Sequence, residues 1–161
     1  MARKPYDVSY PRRESPLTNY KKPDFATMHI FNPLIAAATK FGISVRGSRV
    51  LSVRGRKSGQ WRSTPVNPLT FADARYLVAP RGDTQWVRNI RVSGEGVLHL
   101  GRKSEPIRVS EVRDEEKLPI LRAYLHAWAS ETKRFFGVAD ANVPDDELRR
   151  IAPNHPVFRI G

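Results

Sequence analysis

The residues richest in chemistry are Arg54-Gly55-Arg56-Lys57-Ser58-Gly59-Gln60-Trp61-Arg62-Ser63-Thr64-Pro65-Val66. Two glycines bracket Arg-Lys-Ser. Lacking Cβ, they let backbone N–H groups approach an anion; arginine grips phosphate oxygens as a fork, and lysine acts as a point charge. The hydroxyls of Ser58, Ser63 and Thr64 add donors. On spacing alone the segment is either an anion-gripping loop between two strands or a solvated hairpin turn. Its surroundings are one-signed. No acid lies between Asp24 and Asp73, while that window holds seven bases: Lys40, Arg46, Arg49, Arg54, Arg56, Lys57 and Arg62. With 28 Lys and Arg against 16 Asp and Glu, the net charge is +12. Such a field asks for an anionic partner: nucleic acid, a lipid surface or a phosphorylated cofactor.

Other chemistry is excluded by what the chain lacks. It has no cysteine, so disulfides, thiolate catalysis and thiolate metal sites are ruled out. His29, His99, His126 and His155 are far apart and none pairs at i, i+4, so no metal site is expected and each is read as an ordinary surface or half-buried residue. There is no phosphate-binding Gly-x-x-x-x-Gly-Lys-Ser/Thr loop, no Gly-x-Gly-x-x-Gly dinucleotide fingerprint and no nucleophile elbow.

The elements that must position the basic loop follow from pattern. A hydrophobic fraction of 40% over 161 residues is enough for one folded domain. Residues 1–24, rich in Pro, Lys and Arg, read as a surface arm without periodicity, and residues 25–161 as a single domain. Asn32, Pro33 and Gly42 frame a short apolar helix by cap, first-turn and stop chemistry. From Ser44 to Val112 short β-type runs alternate with turns: Arg49–Val53, Ser63–Phe71 (interrupted by Pro65 and Pro68), Arg75–Ala79, Gly96–Leu100 and Pro106–Val112. Trp86–Val92 fits a strand or a short helix. A helix is predicted from about Glu115 to Phe136, with Leu118, Leu121, Leu125 and Trp128 on one face and a bend or a late start near Pro119, then a last helix from Pro144 to Ile151. Five or six mostly antiparallel strands between helices predict an α+β fold built on a small barrel, since closure removes exposed edges. No apolar run approaches membrane-span length and the amino terminus lacks a secretory core, so the expected location is the cytoplasm.

Gly55-Arg56-Lys57-Ser58-Gly59-Gln60 followed by Arg62-Ser63-Thr64-Pro65-Val66 resembles the signature of the deazaflavin-dependent nitroreductase and F420H2-dependent quinone reductase family, split β-barrel proteins that use coenzyme F420. Tyr76–Gly82 resembles the family's next strand and basic turn. Trp86-Val87-Arg88-Asn89-Ile90 resembles its Trp-x-x-Asn element, and His155–Ile160 its terminus. The resemblance implies that Lys57 and Arg62, with Arg56, Ser58 and Gln60 nearby, hold the cofactor's phosphate and acidic tail. It implies that Ser63, Thr64, Pro65 and Val66 run along the deazaflavin ring. Ala79, Arg81 and Gly82 would lie at the ring's far edge, with Trp86 and Asn89 shaping the pocket. The plain alternative for Trp86 is core packing. The implied reaction is hydride transfer to an electron-poor acceptor such as a quinone or nitroaromatic, with Tyr76, Tyr124 or solvent as the proton source. Acceptor-slot candidates are the Leu34–Phe41 helix, Tyr124, Trp128, Phe135 and Phe136; packing on the barrel is the alternative for them. Pro80 and Gln85 depart from the nitro-drug-reducing member, which sets nitroimidazole reduction apart from cofactor binding.

Rival readings are an FMN-binding split barrel, a lipid- or fatty-acid-binding barrel without chemistry, and a basic nucleic-acid-binding module. The last is disfavoured because the bases concentrate in one loop and no strand carries a stacking pair of aromatics. Monomer and homodimer, and a peripheral membrane contact of the arm, stay open.

Overall fold

The computed structural model describes residues 47–138 and 141–161. The arm over residues 1–24, the domain start at residue 25, the helix between Asn32 and Gly42 and its share of the acceptor slot lie outside the described residues. Seven strands form one antiparallel sheet: β1 (Arg49–Arg54), β2 (Trp61–Val66), β3 (Leu69–Phe71), β4 (Ala74–Val78), β5 (Glu95–Leu100), β6 (Lys103–Glu111) and β7 (Val157–Ile160), in the order β2-β1-β5-β6-β7-β4-β3. Helix α1 (Gln85–Ser93) lies between β4 and β5. After β6 come a short 3-10 turn (Asp114–Glu116), α2 (Lys117–Phe136) and α3 (Asp145–Ile151).

The connection between β2 and β3 shows why this sheet curls. These strands are its two opposite edges, yet only Asn67 and Pro68 separate them. Six inter-strand steps of about 4.8 Å put the edges of a flat sheet about 29 Å apart. Three Cα steps from Val66 to Leu69 reach about 11 Å at most. The sheet therefore rolls until its edges approach, giving a half-closed barrel. The run expected as one strand from Ser63 to Phe71 is thus two, broken at Pro68, where a missing N–H cannot extend the ladder.

Two apolar layers follow from the two-residue period of the strands. Leu51, Val53, Val66, Leu77, Leu98, Ile107, Phe158 and Ile160 face the barrel interior, which Val87 and Ile90 of α1 cap. Tyr76, Val78 and Val157 face the other way and pack on Leu121, Tyr124 and Leu125 of α2 and Leu148 of α3. The segment Trp86–Val92, open between strand and helix, is helical. Its end is set by Gly94 in the left-handed region (φ 66°), whose N–H returns to the Ile90 carbonyl at 2.7 Å. Strand β7 was read only as a family-like terminus; it pairs with both β4 and β6 and brings the count to seven. The bend, one of two expectations near Pro119, is instead at Trp128, whose φ of −129° and ψ of 19° interrupt α2. Pro119 sits within its first turn, where a missing N–H removes no intrahelical bond.

Candidate active site

Strands β1 and β2 pair in register from Arg49↔Val66 to Arg54↔Trp61, leaving Gly55–Gln60 as the connecting loop. The loop is internally tied. Gly55 N–H donates to the Gln60 carbonyl at 2.8 Å, Gly59 N–H to the Gly55 carbonyl at 2.8 Å, and Gln60 N–H to Ser58 Oγ at 3.2 Å. A Cβ on Gly55 would stand 2.9 Å from Ser58 Oγ and 3.3 Å from the Gln60 carbonyl, so only glycine suits this fold of the loop. The Arg54 guanidinium lies 4.3 Å from the Trp61 ring centre and donates to the Gly59 carbonyl, bracing the base.

A second element fixes the loop from the side. Buried Asn89 on α1 uses one oxygen, Oδ1, to accept from Arg56 N–H at 3.2 Å and Arg56 Nη1 at 2.9 Å. Gln85 Oε1 accepts from Arg56 Nη1 at 2.9 Å. Arg56 and Ser58 are thus engaged in building the loop. The side chains of Lys57 and Arg62 are exposed and form no hydrogen bond or ion pair with the described residues.

The loop opens onto a cleft of about 910 Å³, toward the upper end of small-molecule sites. Of the residues expected at a cofactor site, the fold brings Arg56, Lys57, Ser58, Arg62, Ser63, Thr64, Pro65, Val66, Ala79, Arg81, Trp86 and Asn89 to its walls. Gln60 is exposed outside it, its carbonyl used to close the loop, and Gly82 borders an adjoining groove instead. Trp86 does both things asked of it: it borders the cleft and tilts against the buried Phe158 ring at 5.8 Å. Tyr76 corrects the proton-donor expectation. It packs in the helical core and is not among the residues lining the cleft, whereas Tyr124 of α2, in the same core, reaches the wall. Phe135 also lines the cleft, but Phe136 is buried against His155 and Trp128 packs beside the helical core.

Pattern reading missed Asn67, Val78, Thr84 and Arg134 among the lining residues. Arg134 follows the break at Trp128, so the Leu118–Leu125 stripe does not carry its phase forward. Thr84 precedes α1, and its cap chemistry could have marked it. Its Oγ1 is buried without a hydrogen-bond partner beside the cleft. The α1 N-terminus there has no acid in its first turn, leaving its partial positive charge uncompensated.

The electrostatics separate cleft from surface. Arg75, Arg88, Arg91, Arg113, Lys117 and Arg122 all pair with carboxylates, and none of these pairs borders the cleft. No carboxylate is among the lining residues. Away from the cleft, His99 is buried between Ser104 Oγ (2.9 Å from Nδ1) and Ser52 Oγ (3.1 Å from Nε2), and burial pushes its pKa down. Burial also lowers that of His155, aided by the Lys117 charge and partly offset by backbone bonding at Ala79 and Pro80. Both histidines expected at or near the surface are therefore interior residues. Among the described residues, no cluster of three or more His, Asp or Glu could hold a metal, and no helix is long and apolar enough to cross a membrane.

These features can be set beside known proteins. No curated protein matches the chain. Among solved structures, a protein of unknown function from Agrobacterium tumefaciens shares the fold, with a TM-score of 0.53 at 14% identity over 88% of this chain and 57% of that one. An F420-H2 dependent reductase gives a TM-score of 0.49 at 20% identity over 72% of this chain and 95% of that one. A conserved hypothetical protein from Mycobacterium tuberculosis gives 0.49 at 17% identity over 78% of each. The family described as F420H(2)-dependent quinone reductase matches residues 35–145, well over half of the sequence. The chain thus belongs to the F420H2-dependent quinone reductase family, and the oxidoreduction it serves depends on coenzyme F420.

Proposed function

We propose that the cleft binds coenzyme F420 with its acidic portion at the Gly55–Gly59 loop and that the protein reduces an electron-poor ring, a quinone or nitroaromatic, beside it. The observation that carries this reading is a cleft with no acid among its described lining residues, bordered by two unpaired cations: Lys57 on a loop held by Arg56 and Asn89, and Arg62 on the adjoining strand β2. The residues fit the group. The orphaned Thr84 Oγ1 and the α1 N-terminus add polar attraction near a phosphate-bearing ligand. The edge strand β2, which has no second strand partner among the described residues, offers backbone groups from Ser63 to Val66 along one wall. Trp86, Val66 and Ala79 supply apolar surface for a flat ring.

Reduced F420, when bound, supplies the hydride. The protein's part is orientation and exclusion of water. Lys57 and Arg62 anchor the acidic end and so set where the ring lies along β2. Trp86 and Phe135 narrow the cleft. Reduction of a quinone to a hydroquinone needs one hydride and one proton; Tyr124, only 1% exposed at the cleft wall, is the proposed proton-bearing side chain.

The test is titration with F420 followed by its fluorescence. Saturable binding is expected in the parent protein, with Lys57→Ala and Arg62→Ala each weakening it by roughly tenfold or more and added salt weakening it further. Equal affinity in parent and both variants would remove the loop from the site. Absence of F420 binding together with retained FMN would replace the cofactor.

A further inference from the structure

A second groove adjoins the cleft and shares Pro80, Arg81, Arg134 and Phe135 with it. The wall between them is made by the turn after β4 and the last turns of α2, different elements from the basic loop. Here the guanidinium carbon of Arg81 lies 4.6 Å from the centre of the Phe135 ring and that of Arg134 lies 4.7 Å from the same centre. Both arginines are exposed, and neither has a carboxylate partner among the described residues. Among the described residues, no acid lines the groove either.

Two like charges held on one phenyl ring repel each other, and the ring's electron-rich face compensates them only in part. Stacking has a further consequence. It holds each guanidinium against the ring while leaving N–H donors for a planar or trigonal anion, in the fork geometry that arginine presents and lysine does not. The wall borders the same cleft as Lys57 and Arg62.

We infer that Arg81, Phe135 and Arg134 form an anion-recognising wall for the electron acceptor, and that the ring reduced here carries an acidic substituent such as a carboxylate or sulfonate. The assignment to an acceptor rests on the reductase reading above; the recognition of an anionic ring does not need turnover to be seen.

The test therefore has a binding arm and a kinetic arm. In the first, naphthalene-2-sulfonate and 2-naphthol are titrated against the protein, following tryptophan fluorescence. The sulfonate binds about tenfold tighter in the parent protein. The ratio falls toward one in Arg134→Gln, and it falls in Phe135→Leu, which keeps both charges but removes the aromatic platform. In the second arm, 1,4-naphthoquinone-2-sulfonate and 2-methyl-1,4-naphthoquinone are compared as acceptors with reduced F420. The kcat/KM ratio follows the binding ratio through the same variants. Equal binding of the two naphthalenes in the parent protein, or a ratio that survives Arg134→Gln, overturns the inference. So does a parallel loss of F420 affinity in Arg134→Gln, which assigns the wall to the cofactor's acidic tail. A sulfonate preference that persists while neither quinone is reduced supports the anion wall and counts against the reductase reading alone.

Discussion

Replacing Asn89 with alanine tests whether α1 holds the cofactor loop. One Asn89 oxygen accepts both the backbone N–H and the Nη1 of Arg56, and the side chain is buried at 5% exposure. Deleting it strands the Arg56 N–H in a partly buried place, a loss worth about 1–3 kcal/mol. The guanidinium bond adds little, because Arg56 keeps Gln85 and has access to water. The expected destabilisation is about 2 kcal/mol, which for a chain of this size lowers Tm by roughly 4–8 °C. Urea unfolding should show a lower midpoint at unchanged slope. With the loop released, the F420 dissociation constant should rise about tenfold. Asn89→Asp separates scaffold from charge: it keeps an acceptor for Arg56 and pairs with its guanidinium, so it destabilises less than alanine does, while the added carboxylate beside the cleft weakens F420 binding. The reasoning fails if Asn89→Ala matches the parent in both unfolding midpoint and F420 affinity, since the hairpin bonds of Gly55 and Gln60 would then suffice to hold the loop. It fails equally if Asn89→Asp binds F420 as the parent does.

Three further outcomes follow from the structure. Gly55→Ala, which sets a Cβ against Ser58 Oγ and the Gln60 carbonyl, should distort the loop and cost most of the F420 affinity while shifting the urea midpoint only slightly. His99 and His155 both have lowered pKa values in the fold, so the unfolded chain binds more protons below its ordinary histidine value of 6.5; stability is full above that pH and declines as pH falls below it, and His99→Gln should flatten that decline in a pH series of unfolding midpoints. Phe158→Ala, at 1% exposure in the strand joining β4 to β6, should destabilise by about 3–5 kcal/mol and change Trp86 fluorescence, because the two rings touch; an unchanged emission spectrum would mean the contact does not hold Trp86 in place.

Much of the site was legible in the residues themselves. The glycine-bracketed Arg-Lys-Ser loop, the acid-free window and the alternating strands are local signals. Local signals survive folding because loop chemistry and two-residue periodicity act over a few neighbours. They marked the loop and placed the last helix from Pro144 to Ile151, where α3 runs Asp145–Ile151, whereas the roles of Ser63–Val66, Ala79, Arg81, Trp86 and Asn89 came from the resemblance to the family and not from local pattern. What tertiary structure alone decided is which of these residues act together. Arg56 and Ser58 carry the same cue as Lys57 and Arg62, yet the first two are consumed in building the loop, because α1 lies against it. Tyr76 and Tyr124 are equal candidates in the sequence; both pack in the helical core, and only Tyr124 reaches the cleft. Arg134 gave no signal, since the break at Trp128 erased the helical phase that would have located it. The role of β7 was hidden for a related reason. Four residues at the end of a chain look like a tail until two distant strands need a partner, and that need exists only once the sheet has rolled up. Sequence thus determined the chemistry available to this protein, and the curling of the sheet, forced by the two-residue link between its edges, decided which groups face the cleft.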